Sequence, residues 1–421
     1  MLCGQPLLHT VDERIEAMET KRARILRVWT GCPEVSLKRV DAADVLRVIW
    51  VGLVAWFHVW QFSWLAPVVE LGPIRMDFNV WVRTGYTQVD QMLMLSGFLL
   101  ALPYLRSREQ GTPWPGWKDF YFKRAVRILP SYWASLFIVL AVYTLCGGRY
   151  SSIGAMVYDL AMHLGFVHKL SYASSAATPL NGVLWTLAVE VQFYLFFPLL
   201  IRGFVRRPFA CYGLMVAAAW LYRMGFVAQL EDSSMYFNRL PAMLDVYANG
   251  MMGCWLYVKL AHRLKDRPGA GLAGLAVGIA AIWGIYALLE SQAALAAGQV
   301  RRMGQMERRY LLSLLGALCL IGLSCSTGWL RRAMSCKLVM FLSGISFNYY
   351  IWHQYVAAQL LKWGIPPSAY EHPNKAGDLA WQLGYTALSF GAALLAAWLM
   401  TRFLERPAAN WAWKKRRQKR A

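Results

Sequence analysis

Ten stretches of roughly twenty predominantly apolar residues recur along this chain, and that repetition restricts the fold more than any other feature. A run of that length is what a helix needs to cross about 30 Å of hydrocarbon. In lipid every backbone N–H and C=O must be satisfied within the segment, so such runs fold as helices. The runs lie near 44–66, 87–105, 129–147, 182–201, 208–228, 241–261, 269–290, 310–326, 338–361 and 380–403. The expected fold is an all-α, polytopic transmembrane bundle of about ten spans. The composition agrees, with 57% hydrophobic and only 16% charged residues, and with the 20 Trp and 21 Tyr suited to interfacial belts.

Net charge is +21, from 44 Lys and Arg against 23 Asp and Glu. In a soluble chain that excess suggests nucleic acid, but here the cations cluster between apolar runs. Links 106–128, 202–207, 262–268 and 327–337 are basic, as are residues 1–43 and the tail from Lys414 to Arg420. With ten spans all of them fall on one side, so the positive-inside rule puts both termini in the cytoplasm. Link 291–309, with Arg301, Arg302, Arg308 and Arg309, is the exception on the outer side. A further segment, 153–170, carries Asp159, His163, His168 and Lys169 and is expected as an outer or re-entrant piece. This gives a cytoplasmic extension over 1–42, a membrane domain over 43–407 and a basic tail over 408–421 suited to anionic lipid. The first span is expected to act as its own signal anchor in a cell membrane. The eight cysteines show no CxxC or other metal spacing, so neither a disulfide framework nor a metal site is expected.

Ionisable groups inside spans are costly and are functional candidates by default. The first span carries Arg47 and, eleven positions later, His58, about 16 Å apart along a helix and on nearly the same side. His58, Glu190 and His353 each fall about 12 Å below the outer end of their spans. A desolvated imidazole favours its neutral form, which a general base requires. Arg124 and Arg127, three apart, share one face of a basic helix, and guanidinium forks match phosphates. Without further information the buried His and Glu could equally serve a proton-coupled transporter or flippase as a relay. Ser96-Gly97 permits close approach of two helix backbones. His163 and His168, five apart, are off-register for a common helical face and read as loop polar groups.

Five stretches accompany Arg47 and His58: Val89-Asp-Gln-Met-Leu-Met-Leu-Ser-Gly-Phe98, Lys123-Arg-Ala-Val-Arg-Ile-Leu-Pro-Ser-Tyr-Trp133, Leu184-Trp-Thr-Leu-Ala-Val-Glu-Val-Gln-Phe-Tyr194, Ser346-Phe-Asn-Tyr-Tyr-Ile-Trp-His353 and Glu405-Arg-Pro407. In this order they resemble the acyltransferase-3 family of integral membrane acyltransferases, over about residues 41–407. Arg47 and His58 match its Arg-x10-His signature, and Arg124 and Arg127 its Arg-x-x-Arg. The resemblance implies O-acylation, usually with acetyl from acetyl-coenzyme A, of a carbohydrate or lipid hydroxyl in the envelope or on an exported product. No metal is expected from the cysteine spacing and no nucleic-acid partner from the placement of the cations between spans, and the esterase-like domain fused to some relatives is not expected in the few residues after Pro407. His58 is expected as base with Glu190 orienting its other nitrogen, His353 as a third catalytic group, and Arg47, Arg124 and Arg127 as the donor site. Two departures stand out. Met92 and Leu93 replace the family's aromatic pair, and Glu190-Val191-Gln192 replaces its Glu-Glu-Gln, which places more weight on Glu190.

Overall fold

The computed structural model of the protein describes residues 39–264 and 267–418, so most of the 1–42 extension and the last three residues of the tail lie outside the described residues. Each of the ten expected spans coincides with a helix. In chain order these are α1 (Asp41–Ser63), α2 (Gln88–Gln110), α3 (Trp117–Leu145), the short α4 (Ile153–Leu164), α5 (Trp185–Arg206), α6 (Pro208–Trp220), α7 (Leu244–Arg263), α8 (Ala270–Ala293), α9 (Gln299–Ser324), α10 (Lys337–Lys362) and α11 (Leu379–Met400). The chain continues through a π-helical turn, Thr401–Glu405, into α12 (Arg406–Gln418). An antiparallel hairpin, β1 (Val68–Leu71) with β2 (Ile74–Asp77), is a small departure from the all-α expectation and fills the link after α1.

By length and apolarity six of these helical segments can cross a membrane, or seven if α9 and the helix Gly328–Met334, bent by 113°, count as one. α2, α7 and α10 fall short for one reason: each carries polar side chains in its interior. Those include Asp90 and Gln91 on α2, Asp245 and Asn249 on α7, and Asn348 and His353 on α10, all buried. They form the inner layer of the bundle, wrapped by more apolar helices such as α6 and α8, which are largely exposed in the isolated chain.

α2 and α7 form the closest pair. A Cβ on Gly97 would sit 2.7 Å from the Tyr247 carbonyl oxygen, and one on Gly250 only 2.0 Å from that of Met94. Small residues let the two backbones touch, as Ser96-Gly97 suggested. α10 packs against both α1 and α11. The helix starts follow local chemistry: Ser152 caps α4 by accepting from the Ala155 N–H at 3.1 Å, and Asp378 caps α11 through Trp381 at 3.0 Å.

At twelve residues, α4 reaches about 18 Å and is too short to span. The basic 291–309 stretch, expected as a loop, is partly helical, because α9 begins at Gln299. Its arginines turn inward. Arg309 pairs with buried Asp90 at 3.1 Å, Arg302 reaches Asp232 at 2.9 Å, and Arg308 donates to Ser291 at 2.8 Å. The tail is helical as far as Gln418. Arg416 contacts Asp119, and Trp413 packs on Phe122 with ring centres 4.8 Å apart, so α12 lies along α3.

Candidate active site

Five helices line a partly open cavity of about 190 Å³. α1 contributes Arg47; α2 contributes Met92, Ser96 and Leu99, at helical spacing on one face; α3 contributes Arg124 and Arg127; α5 contributes Thr186, Glu190 and Tyr194; α10 contributes Ser346, Phe347 and Tyr350. Every 184–194 residue named here is four from the next, so all three share one side of α5. Four of the six residues singled out from sequence therefore line one space.

The cations differ in how they are held. Arg47 donates to Ser343 Oγ at 3.2 Å and lies 3.6 Å from Asp44, while the Ser343 hydroxyl donates to Asp44 at 2.6 Å. Its guanidinium is thus fixed by α10 as well as by its own helix. Arg124 lies over the rings of Phe120 and Tyr194, at 5.8 and 5.7 Å, and its Nε is buried without a hydrogen-bond partner. Neither Arg124 nor Arg127 has a salt-bridge partner among the described residues. Buried donors normally find acceptors, so the unsatisfied Arg124 Nε beside the cavity suits an anionic ligand, whereas Arg127 is exposed at the cavity's edge.

Glu190 accepts from Ser96 Oγ at 2.6 Å and from the Tyr194 hydroxyl. This corrects the expectation that it orients His58. The His58 Nδ1 is instead 3.0 Å from Gln61 Oε1 and 3.1 Å from Gln354 Nε2, and no hydrogen bond joins it to Glu190 among the described residues. His58 and His353 do meet, with ring centres 5.3 Å apart, but outside the walls of the cavity. Tyr350 links the two places: it lines the cavity, and its ring centre is 5.5 Å from that of His353.

The tautomer of His353 follows from its partner. Nδ1 lies 2.7 Å from the Tyr350 carbonyl oxygen, which can only accept, so Nδ1 carries the proton. Nε2 then bears the lone pair, and it is buried without a partner. That is the form of an imidazole able to take a proton.

Sequence reasoning missed Tyr194, Tyr350 and Gln354. Tyr194 carried a usable signal, since it stands four residues after Glu190 and so on the same face. Gln354 and Ser343 carried none, because their partners come from α1. Glu405, in the final motif, accepts from Asn348 at 2.6 Å, and Asn348 also reaches Thr401 at 2.9 Å, so that motif ties the end of α11 to α10. His163 and His168 meet despite their spacing. Phe166, with φ of 57°, turns the chain back after α4 and stacks the two rings 4.1 Å apart. No group of three His, Cys, Asp or Glu among the described residues is arranged to hold a metal ion.

A helical membrane bundle with arginines and a carboxylate around one internal cavity is the class these observations define. Comparison narrows it: the acyltransferase-3 family, described as an acyltransferase domain, matches residues 40–401, and the chain belongs to that family. It is 23% identical over 396 residues to the peptidoglycan O-acetyltransferase OatA of Listeria monocytogenes, covering 88% of this chain and 56% of that protein. It is 22% identical over 312 residues to a candidate O-acetyltransferase of Staphylococcus aureus strain COL, covering 69% of this chain and 49% of that one. The chain thus spans about half the length of the curated relatives it matches. No solved structure gives a significant match.

Proposed function

We propose that this protein is a membrane O-acyltransferase that moves an acyl group, acetyl by analogy with its relatives, from cytoplasmic acyl-coenzyme A to a hydroxyl of an envelope or exported acceptor. The observation that carries this reading is the shared cavity of Arg47, Arg124, Arg127 and Glu190, with paired imidazoles behind Tyr350. The relatives named for peptidoglycan favour a carbohydrate acceptor over a lipid one. Ten spans with both termini in the cytoplasm complete the reading, with α2, α7 and α10 crossing as inner spans.

In this mechanism the arginines hold the donor's phosphates, because planar forks bind them in pairs. The pantetheine arm alone enters the bundle, since the nucleotide is too polar. Glu190 fixes the Ser96 and Tyr194 hydroxyls where the thioester arrives. His58 takes the proton of the acceptor hydroxyl as its oxygen attacks the thioester carbonyl. The carbon–sulfur bond then breaks, and the departing thiolate recovers that proton as the free thiol of coenzyme A. His353, whose ring centre lies 5.3 Å from that of His58, offers a second acceptor for the proton in transit.

The test uses purified protein in vesicles of known orientation, with labelled acetyl-coenzyme A on one side and soluble glycan fragments on the other. Thiol release that depends on the glycan, with label appearing on the glycan side, is expected. Thiol release indifferent to any acceptor overturns the transferase. Label confined to acceptor on the donor side overturns the crossing.

A further inference from the structure

A second space, apart from the cavity above, lies where the ends of α2 and α5 meet the start of α6 and the last turns of α7. It is a partly open recess of about 150 Å³. Its floor is apolar, formed by Leu105, Val205 and Val258, with Trp255 on one wall. Its rim is charged, formed by Arg108, Arg206, Lys259 and Glu109. Glu109 is already engaged by Lys259 at 2.7 Å. Among the described residues Arg108 donates only to a neutral group, the Val205 carbonyl, at 2.6 Å. Arg206 is exposed and has no acidic partner among the described residues. The rim therefore keeps two uncompensated guanidinium groups above a hydrocarbon floor.

The surroundings are those of an amphiphile site. α5 breaks at Arg207 and α6 restarts at Pro208, which opens the notch. Phe209 packs edge-on against Trp255, with ring centres 5.6 Å apart. From there the outer flank of α6 and of the π-helical turn that follows it, Leu221–Phe226, is apolar and uncovered, with Leu214 and Leu221 each 73% exposed. A cation-lined recess that opens onto an exposed apolar flank matches a ligand with a phosphate at one end and hydrocarbon at the other. Free phosphate would have no use for the flank.

We propose that this notch binds the headgroup of an anionic phospholipid, its phosphate between Arg108 and Arg206 and an acyl chain along α6. The assignment rests on the cytoplasmic placement of these helix ends, where anionic lipid and basic residues attract one another, and not on the transfer chemistry.

Native mass spectrometry of the intact protein in detergent reads the site directly, with dioleoyl phosphatidylglycerol and dioleoyl phosphatidylcholine as probes and inorganic phosphate as competitor. The wild-type protein should retain one phosphatidylglycerol that withstands inorganic phosphate, and no phosphatidylcholine at that position. Arg206→Gln should weaken retention about fivefold, the worth of one surface cation, and Arg206→Lys should restore most of it. Because Arg206 is exposed, the Gln variant is expected to keep the wild-type melting temperature, which confirms that the loss is local. Equal retention of the two lipids, or retention unchanged by Arg206→Gln together with Arg108→Gln, would overturn the proposal. Complete displacement by inorganic phosphate would also overturn it, by showing a site for free phosphate. Acyl transfer is not part of the readout, so failure here leaves the transferase reading intact, and the reverse.

Discussion

Two regions of the bundle hold arginines among apolar helices, and they hold them in opposite ways. Between α2, α7, α9 and the helical turn after α6, Arg223 meets Asp245 through two contacts of 2.9 and 2.5 Å, and Arg309 meets Asp90. Arg223 and Arg309 also donate to the carbonyls of Ala242 and Phe237, and all four charged side chains are essentially inaccessible. In the cavity on the other side of α2, Arg124 and Arg127 have room beside them and no salt bridge among the described residues. The first arrangement has its carboxylates built in, although Arg223 Nε and Asp90 Oδ2 are left without a partner among the described residues. The second lacks partners and has the space. Burial of an arginine thus says little about its role; what separates support from ligand binding is whether its acceptors are already present.

That contrast breaks if charge removal has the same consequence in both places. The largest expected effect is in the closed region: Asp245→Ala strands the Arg223 guanidinium and should cost about 3–5 kcal/mol of stability. A thermal melt in detergent measures it, and an unchanged melting temperature would remove the distinction. His58→Ala should instead leave the melt unaltered and lower turnover by about 10²–10⁴, the usual loss on removing a general base. Near-normal turnover in a well-folded variant would exclude His58 as the base.

A smaller effect sharpens the comparison from the cavity side. Arg124→Ala with Arg127→Ala should weaken the apparent affinity for acyl-coenzyme A by about tenfold or more, since bonds to charged groups are being lost. Lysine at both positions should recover it only in part. Turnover against donor concentration decides this, and an unchanged affinity would reduce the pair to topological charge.

The smallest effect concerns His168, outside the spans. Burial first, then the neighbouring His163 and Lys169, push its imidazole down to about 3 from an ordinary value near 6.5. The folded state then binds fewer protons than the unfolded chain, so stability falls as pH drops below about 6.5. His168→Gln should flatten the melting temperature over that range, and an unaltered slope would assign it to other groups.

The helices were legible because apolar runs of membrane length admit one backbone solution, and all ten runs became helices where they were expected. The arginine pair on α3 and Glu190 on α5 were legible as chemistry, because ionisable groups are rare in such runs. The histidine partnership was only half legible. His58 and His353 lie in different runs, and nothing in either run says that α1 and α10 pack side by side. Glu190 was assigned to His58 because a sequence offers no distances, whereas Ser96 and Tyr194 stand nearer.

By itself, then, the sequence determined that the apolar runs are helical and which polar residues stand within them. These are local quantities, set by length, hydropathy and charge. Tertiary structure alone decided which arginines are neutralised, that Arg47 is held by Ser343 from α10, and that Tyr350 stands between the cavity and the imidazoles. Those outcomes depend on which helix faces meet. Helices in lipid choose their neighbours by close packing at small residues such as Gly97 and Gly250 and by satisfying buried polar groups, and both are properties of pairs of helices rather than of any one stretch.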